Sequence, residues 1–176
     1  LKHSISPYQH GFVEKRSTIT NLAYFTQYVS EAIDGKSQVD VIFTDFTKAF
    51  DTIDHFILLH KLKLIGFSES LILLLKSYLR GRINCVRYRN YTSQTFTPNS
   101  GVPQGSNLGP LLFLLFINDL PNTIFSEKLL FADDFKIFHR IDSLNDCLLL
   151  QNNLYKWCTL NCLALNLDKC KVMSFS

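Results

Sequence analysis

A chain of 176 residues with 47% hydrophobic and 13% aromatic content can bury one substantial core, and its composition excludes intrinsic disorder. Eighteen Lys and Arg against fifteen Asp and Glu give a formal charge of +3, compatible with a polyanionic partner without requiring one. The five cysteines, Cys85, Cys147, Cys158, Cys162 and Cys170, are odd in number and lack CxxC spacing, which argues against a zinc site or a disulfide framework and for small buried thiols in a reducing, intracellular compartment.

In chain order, Leu1 to Lys15 reads as irregular, with Pro7 and Gly11. From Ser17 the apolar positions Ile19, Leu22, Phe25, Val29 and Ile33 recur at helical spacing, with Ser17 as N-cap and Gly35 as a left-handed stop. Val39 to Asp45 is a short β-branched and aromatic run, a buried strand that ends in a carboxylate. A tight connection over Phe46 to Asp51 follows. Asp54 caps a helix through Leu64 that stops at Gly66, and Ser68 caps another from Glu69 to Leu79 that stops at Gly81. Ile83 to Arg89 and Tyr91 to Thr97 alternate as a hairpin around Asn90, to which Arg80, Arg82, Arg87 and Arg89 give a basic face.

Ser100 to Pro110 holds too many Gly and Pro for regular structure and opens a helix from Pro110 to about Leu120, with proline in its first turn. The apolar run Leu108 to Ile117 is too short for a membrane span and reads as a core helix, and no signal peptide is visible. No membrane partner is expected. Leu129 to Phe138 is two apolar runs around Asp133 and Asp134, a hairpin with its acidic pair at or near the turn. Ser143 starts a helix through about Asn161, and Leu163 to Leu167 and Lys171 to Phe175 are two short strands around Asp168 to Cys170. Strands interleaved with helices predict an α+β fold, an antiparallel sheet with helices packed mainly on one face. His55, His60 and His139 have no partners at ligand spacing and read as surface or packing residues.

Two acidic sites at strand ends, Asp45 and Asp133 with Asp134, can share one sheet. Oxygen ligands on rigid strands suit Mg²⁺, and a pair of such ions serves phosphoryl transfer. Residue chemistry alone leaves Asp40, Asp45, Asp51 and Asp54 open as the first member.

Five blocks carry a resemblance. They are Gln9-x-Gly11-Phe12 with Arg16-Ser17; Phe43-x-Asp45-x-x-Lys48-Ala49-Phe50-Asp51; Gly101-Val102-Pro103-Gln104-Gly105-Ser106 with Leu108-Gly109-Pro110; Phe131-Ala132-Asp133-Asp134; and Leu165-Asn166-x-x-Lys169-Cys170. In this order they resemble the fingers motif and motifs A, B, C and D of the reverse transcriptase domain of non-LTR, jockey-like or LINE-like retrotransposons. The match runs from about Gln9 to Ser176. Asn107 departs from the apolar residue usual between Ser106 and Leu108.

The resemblance implies a polymerase palm with part of the fingers in a single domain: fingers over about 1–38, palm over about 39–176, and a fingers-side insertion near 54–100. Leu1 and the apolar Val172 to Phe175 read as cut ends, so the chain is expected to be a fragment without the thumb, with an endonuclease lying elsewhere. It implies RNA-directed DNA synthesis from dNTPs on an RNA template and a DNA primer. Two Mg²⁺ ions, with Mn²⁺ as a substitute, would be held by Asp45, Asp133 and Asp134.

Arg16 is expected near the triphosphate, Phe50 as the gate against a 2′-hydroxyl, and Gln104 and Gly105 in the dNTP-binding and template-contacting turn. Lys169 is expected at the leaving pyrophosphate, Asp51 in a hydrogen-bonding role, and Lys48, Arg80 and Arg82 at backbone phosphates. The family implies action in the nucleus. The rival expectations are an inactive remnant or domesticated nucleic-acid-binding piece, and another palm-type enzyme such as a nucleotidyl cyclase, which leaves motif B unexplained. The sequence carries no signal for an oligomeric state.

Overall fold

The computed structural model describes residues 5–141 and 153–176. The chain forms two compact units, one built from Leu1–Thr47 with Ile117–Ser176 and the other from Lys48–Phe116.

The first unit is a sheet under a helix. Helix α1, Thr18–Asp34, begins at Ser17 with a capping box in which Ser17 and Thr20 exchange side-chain and backbone hydrogen bonds. Its end differs from the sequence expectation. Gly35 keeps φ −78°, and Lys36 takes the left-handed conformation at +59°. Lys36 N–H donates to Ile33 O and Ser37 N–H to Ala32 O, the paired bonds of a Schellman motif centred one residue later than the glycine.

Strand β1, Val39–Thr44, runs through the middle of the sheet. The other strands of this sheet are β4, Glu127–Phe131; β5, Asp134–Arg140; and β6, Lys171–Phe175. The order is β4-β5-β1-β6 and every pairing is antiparallel. Phe25, Val29 and Ala32 of α1 pack on Val39, Val41, Leu129 and Phe138. The Phe25 ring meets Phe138 edge-on at 5.2 Å and Phe175 at 5.8 Å. Truncating a fully buried ring such as Phe138 to alanine costs about 3–5 kcal/mol. Phe135 and Ile137, which alternate to the other face of β5, are also buried.

The strand expected at Leu163 to Leu167 is reduced to one bridge between Leu165 and Phe46, flanked by Thr47 N–H to Ala164 O and Asn166 N–H to Asp45 O. The reason is its partner: β1 ends at Thr44, and beyond Phe46 the chain turns. The helix expected from Ser143 lies outside the described residues up to 152, as does Cys147; residues 153–160 are helical.

The second unit holds helices α2, His55–Leu64, and α3, Glu69–Leu79, capped by Asp54 and Ser68 as expected. The predicted hairpin is present with a short ladder, β2, Arg87–Tyr88, against β3, Tyr91–Thr92. Ser93 bonds Val86 while Asn84 bridges Phe96, so Gln94 and Thr95 together oppose Cys85, a bulge. Every residue over 83–97 is exposed, so no buried face extends the pairing.

Helix α4, Leu108–Ile117, starts earlier than predicted because Ser106 Oγ accepts the Gly109 N–H. Pro110 still falls in the first turn, where its missing donor costs nothing. The helix also ends earlier, and a 3₁₀ turn over Leu120–Thr123 with Pro121 replaces its last residues. Among the described residues no helix is long and apolar enough to cross a membrane.

Candidate active site

In the first unit, strand order brings two acidic segments together. Thr44 pairs with Phe135, and Thr44 Oγ1 donates to Phe135 O at 2.9 Å. Continuing that register sets Asp45, just past β1, level with Asp134, the first residue of β5. Asp133 lies in the two-residue turn between β4 and β5, beside Ala132 at φ +55°.

Burial, and then the negative charges of Asp133 and Asp45, push the Asp134 carboxyl above the ordinary carboxylate range, with Lys136 pulling the other way. Asp45 is partly buried, and its Oδ2 has no hydrogen-bond partner. The same oxygen lies 3.4 Å from Lys169 Nζ, an ion pair without hydrogen-bond geometry. With Lys169 well exposed, that pair is worth roughly 0–1 kcal/mol. Lys169 is delivered by a turn in which Asn166 O accepts the N–H groups of Lys169 and Cys170, while Cys170 Sγ lies 3.9 Å from Asp45 O.

Among the described residues no three His, Cys, Asp or Glu side chains converge into a metal cage. The site instead offers Asp45 level with Asp134, with Asp133 in the adjoining turn, and the buried Asp45 Oδ2 has no hydrogen-bond partner. That donor set fits Mg²⁺, which takes one or two carboxylates and completes its octahedron with water and substrate phosphates.

Arg16 stands in the loop before α1. Its Nη1 donates to Pro7 O and Gln9 O at 2.6 Å each and to Ser6 O at 3.4 Å, so the guanidinium braces its own loop. Gln9, read from sequence only as part of a motif, makes three hydrogen bonds with the acidic turn and its neighbour Gly11.

The second unit carries the other predicted residues. Phe50 is half-buried, one ring face stacked on Phe113 at 4.4 Å and 27°. Lys48, at φ +47°, Asp51, Arg82, Gly101 and Gln104 are among the residues lining an open cavity of about 910 Å³. Gln104 Nε2 donates to Asp51 Oδ1 at 2.9 Å, the hydrogen-bonding part expected of Asp51. Gly105, φ +75°, has nothing within 4 Å of where a Cβ would project.

Arg82 donates to Leu79 O, Ser100 O and Gly101 O, holding the loop before α4 in place. Arg80 is exposed and lines a separate, smaller cavity with Asp54 and Asn99. His55 is buried, with Nε2 2.7 Å from Gly101 O, a role no sequence spacing indicated. The basic face of this unit belongs to a longer acid-free stretch: no Asp or Glu lies between Glu69 and Asp119, which also holds Lys76.

Comparison with known proteins follows the same lines. Residues 1–175 match the family described as reverse transcriptase (RNA-dependent DNA polymerase). The chain is 40% identical over 114 residues to the probable RNA-directed DNA polymerase from transposon BS of Drosophila melanogaster, covering 65% of this chain and 12% of that protein. It is 35% identical over 138 residues to the probable RNA-directed DNA polymerase from transposon X-element of the same organism, covering 76% and 15%. To the RNA-directed DNA polymerase from mobile element jockey it is 36% identical over 118 residues, covering 67% and 13%.

The chain therefore spans about one-eighth of the length of these relatives. Among solved structures, apo telomerase from Candida tropicalis superposes with a TM-score of 0.72 at 13% identity, over 95% of this chain and 36% of that one. That likeness is one of fold.

Proposed function

The chain belongs to the reverse transcriptase family and is similar to the polymerases of jockey-like non-LTR transposons, and from that premise we propose that it carries the nucleotidyl-transfer centre of an RNA-directed DNA polymerase. The observation that carries this reading is the placement of Asp45 level with Asp134 at one end of the sheet, with Asp133 in the adjoining turn and a buried Asp45 oxygen lacking a hydrogen bond. In this reading the sheet is the palm, and the segments near 1–38 and 54–100 belong to the fingers.

Asp45 and Asp133 hold divalent metal, Mg²⁺ or in its place Mn²⁺, with Asp134 as the neighbouring acid. Two bound ions supply charge stabilisation to the attacking 3′-hydroxyl of a DNA primer and to the leaving oxygens of a dNTP. The chain's own residues do the positioning. Lys169, within ion-pair reach of Asp45, would offer its ammonium to the leaving pyrophosphate. Phe50, its ring backed by Phe113, excludes a 2′-hydroxyl from the nucleotide sugar by bulk.

Gln104 and Gly105 lie against the nucleotide and the RNA template, and Asp51 orients the Gln104 carboxamide. Arg16 serves the triphosphate, with a guanidinium fixed by its loop. Lys48 and Arg80 meet backbone phosphates. Arg82 contributes through the loop it braces, and the acid-free stretch from 70 to 118 favours a polyanionic partner. The nucleus, where a transposon copy inserts, is the working compartment of this reading.

The test is extension of oligo(dT) on poly(rA) with dTTP and Mg²⁺, using the longest form of the polymerase that its source encodes. The expected result is metal-dependent extension that Asp133→Asn abolishes. Retained extension in that variant overturns the metal assignment. Primer–template binding without extension in the unaltered protein would favour the inactive-remnant reading.

A further inference from the structure

Gln9 lies far from the acidic turn in sequence and against it in space. Ala132 adopts φ +55°, a left-handed conformation that costs a non-glycine residue about 1–2 kcal/mol. Something must hold the peptide there. The Gln9 side chain, 2% exposed, does so with both ends of its carboxamide: Oε1 accepts from Ala132 N–H at 2.9 Å, and Nε2 donates to Ala132 O at 3.1 Å. The same Oε1 accepts from Gly11 N–H at 2.7 Å, which locks the amide's orientation.

Neighbouring contacts make this a clasp rather than a lone contact. Residues 8–10 run beside the open edge of β4, with Leu130 N–H donating to Tyr8 O and His10 N–H to Leu130 O, each at 2.9 Å. Asn21 Nδ2 donates to the same Leu130 carbonyl at 3.0 Å. Gly11 presses so closely on the turn that a Cβ there would lie 2.2 Å from Ala132 N. Only glycine permits that approach.

We propose that Gln9 is a positioning residue for catalysis: its carboxamide substitutes for a strand partner of the Ala132 peptide and so fixes the direction in which Asp133 and Asp134 present their carboxylates toward Asp45. This rests on the polymerase reading above. The residue type follows from the geometry. Glutamate keeps the acceptor, loses the donor and brings a negative charge to a turn that already has two. Methionine keeps the length and burial and loses both bonds.

The experiment compares Gln9→Met and Gln9→Glu with the unaltered polymerase in its longest encoded form, by amide deuterium exchange over residues 127–135, by single-nucleotide extension kinetics, and by primer–template binding. In Gln9→Met the Ala132 amide should exchange roughly tenfold faster, the loss of about one net hydrogen bond. Misplacing the carboxylates should lower kcat on the order of 100-fold, while primer–template Kd and the KM for dTTP stay within about twofold, the split expected of a group that acts on the reacting centre alone.

The Mg²⁺ concentration for half-maximal rate should rise in both variants, with Gln9→Glu falling between Gln9→Met and the unaltered protein in kcat. Gln9→Glu carries the test if Gln9→Met fails to fold. Unchanged exchange, kcat within about twofold of the unaltered protein, or Kd rising in step with the fall in kcat as general unfolding would produce, each overturns the proposal. Failure of the unaltered polymerase to extend, with slow exchange at Ala132, sinks the catalytic reading and this inference with it, and is told apart from failure of the clasp by the exchange data.

Discussion

Replacing Gly101 by alanine tests whether the loop before α4 is a fixed part of the nucleotide site. Gly101 has φ +78°, and a Cβ there would lie 2.6, 2.7 and 2.8 Å from the Asp51 carbonyl oxygen, Cα and carbonyl carbon. All three are backbone, so no side chain can swing aside; restoring ordinary contact requires the strands of chain to part by roughly 0.8 Å. Four hydrogen bonds converge on this joint: Gly101 N–H to Ile53 O, Val102 N–H to Phe50 O, and His55 Nε2 and Arg82 Nη2 each to Gly101 O. Left-handed strain costs about 1–2 kcal/mol and each buried hydrogen bond lost about 1 kcal/mol. If two of the four break, Gly101→Ala loses about 3 kcal/mol of stability.

Gly105→Ala is the control, since Gly105 has nearly the same φ, +75°, with open space around it, and should lose only about 1 kcal/mol. Urea unfolding of both variants measures the difference, and steady-state extension measures the KM for dTTP, which should rise in Gly101→Ala as Phe50 and Gln104 shift. A loss below about 1 kcal/mol in Gly101→Ala, or equal losses in the two variants, would refute the reasoning from close approach.

Phe50→Val should raise incorporation of ribonucleotide relative to deoxyribonucleotide by roughly 10–100-fold, the scale on which a pocket discriminates by shape; an unchanged ratio in paired rUTP and dTTP assays removes Phe50 from the gate. Asp134→Asn should raise Tm near neutral pH in EDTA. The folded state holds the Asp134 proton more tightly than the unfolded chain does, so this group favours the fold below the ordinary carboxylate range, and that contribution is lost as pH rises through the raised value. The advantage of the variant should therefore vanish in acid and shrink when Mg²⁺ is added. A Tm difference that does not change with pH would show that neither burial nor the charges of Asp133 and Asp45 raise this carboxyl in the folded state.

Much of the fold could be read from local chemistry, because local chemistry decides it. The caps at Ser17, Asp54 and Ser68 formed where a hydroxyl or carboxylate preceded an apolar period. The acidic turn formed where two apolar runs met. What escaped was non-local. Nothing near Gln9 in the sequence shows that its carboxamide satisfies Ala132, nor does anything near His55 show that its ring bonds Gly101. The expected strand at Leu163 to Leu167 failed because strand character depends on a partner, and the chain at Phe46 was already turning. The hairpin over 83–97 kept its turn and only the short ladder of Arg87–Tyr88 against Tyr91–Thr92, because alternation without burial does little to fix register. At the site, the motifs indicated which carboxylates belong together, whereas the backbone partners of the arginines left no mark on the sequence. Arg16 and Arg82 have the charge for phosphate, yet both are tied into backbone carbonyls.

The inequality of the two adjacent aspartates follows from the sheet. Phe135 is buried and pairs with Thr44, so Asp134 opens β5 in the register of Asp45, while Asp133 stays in the turn held by the Gln9 clasp. A slip of one residue between β1 and β5 would send Phe135 toward solvent and Lys136 into the place it leaves, losing about 2–3 kcal/mol of apolar burial and adding the cost of a buried charge. The core therefore selects the register that sets Asp134 level with Asp45. It does not direct Asp133, whose place in the turn depends on an alanine in a conformation alanine disfavours. Two different supports act on two neighbouring carboxylates. A core mutation such as Phe135→Ala should lower stability and activity together, whereas loss of the clasp should lower activity at nearly constant binding.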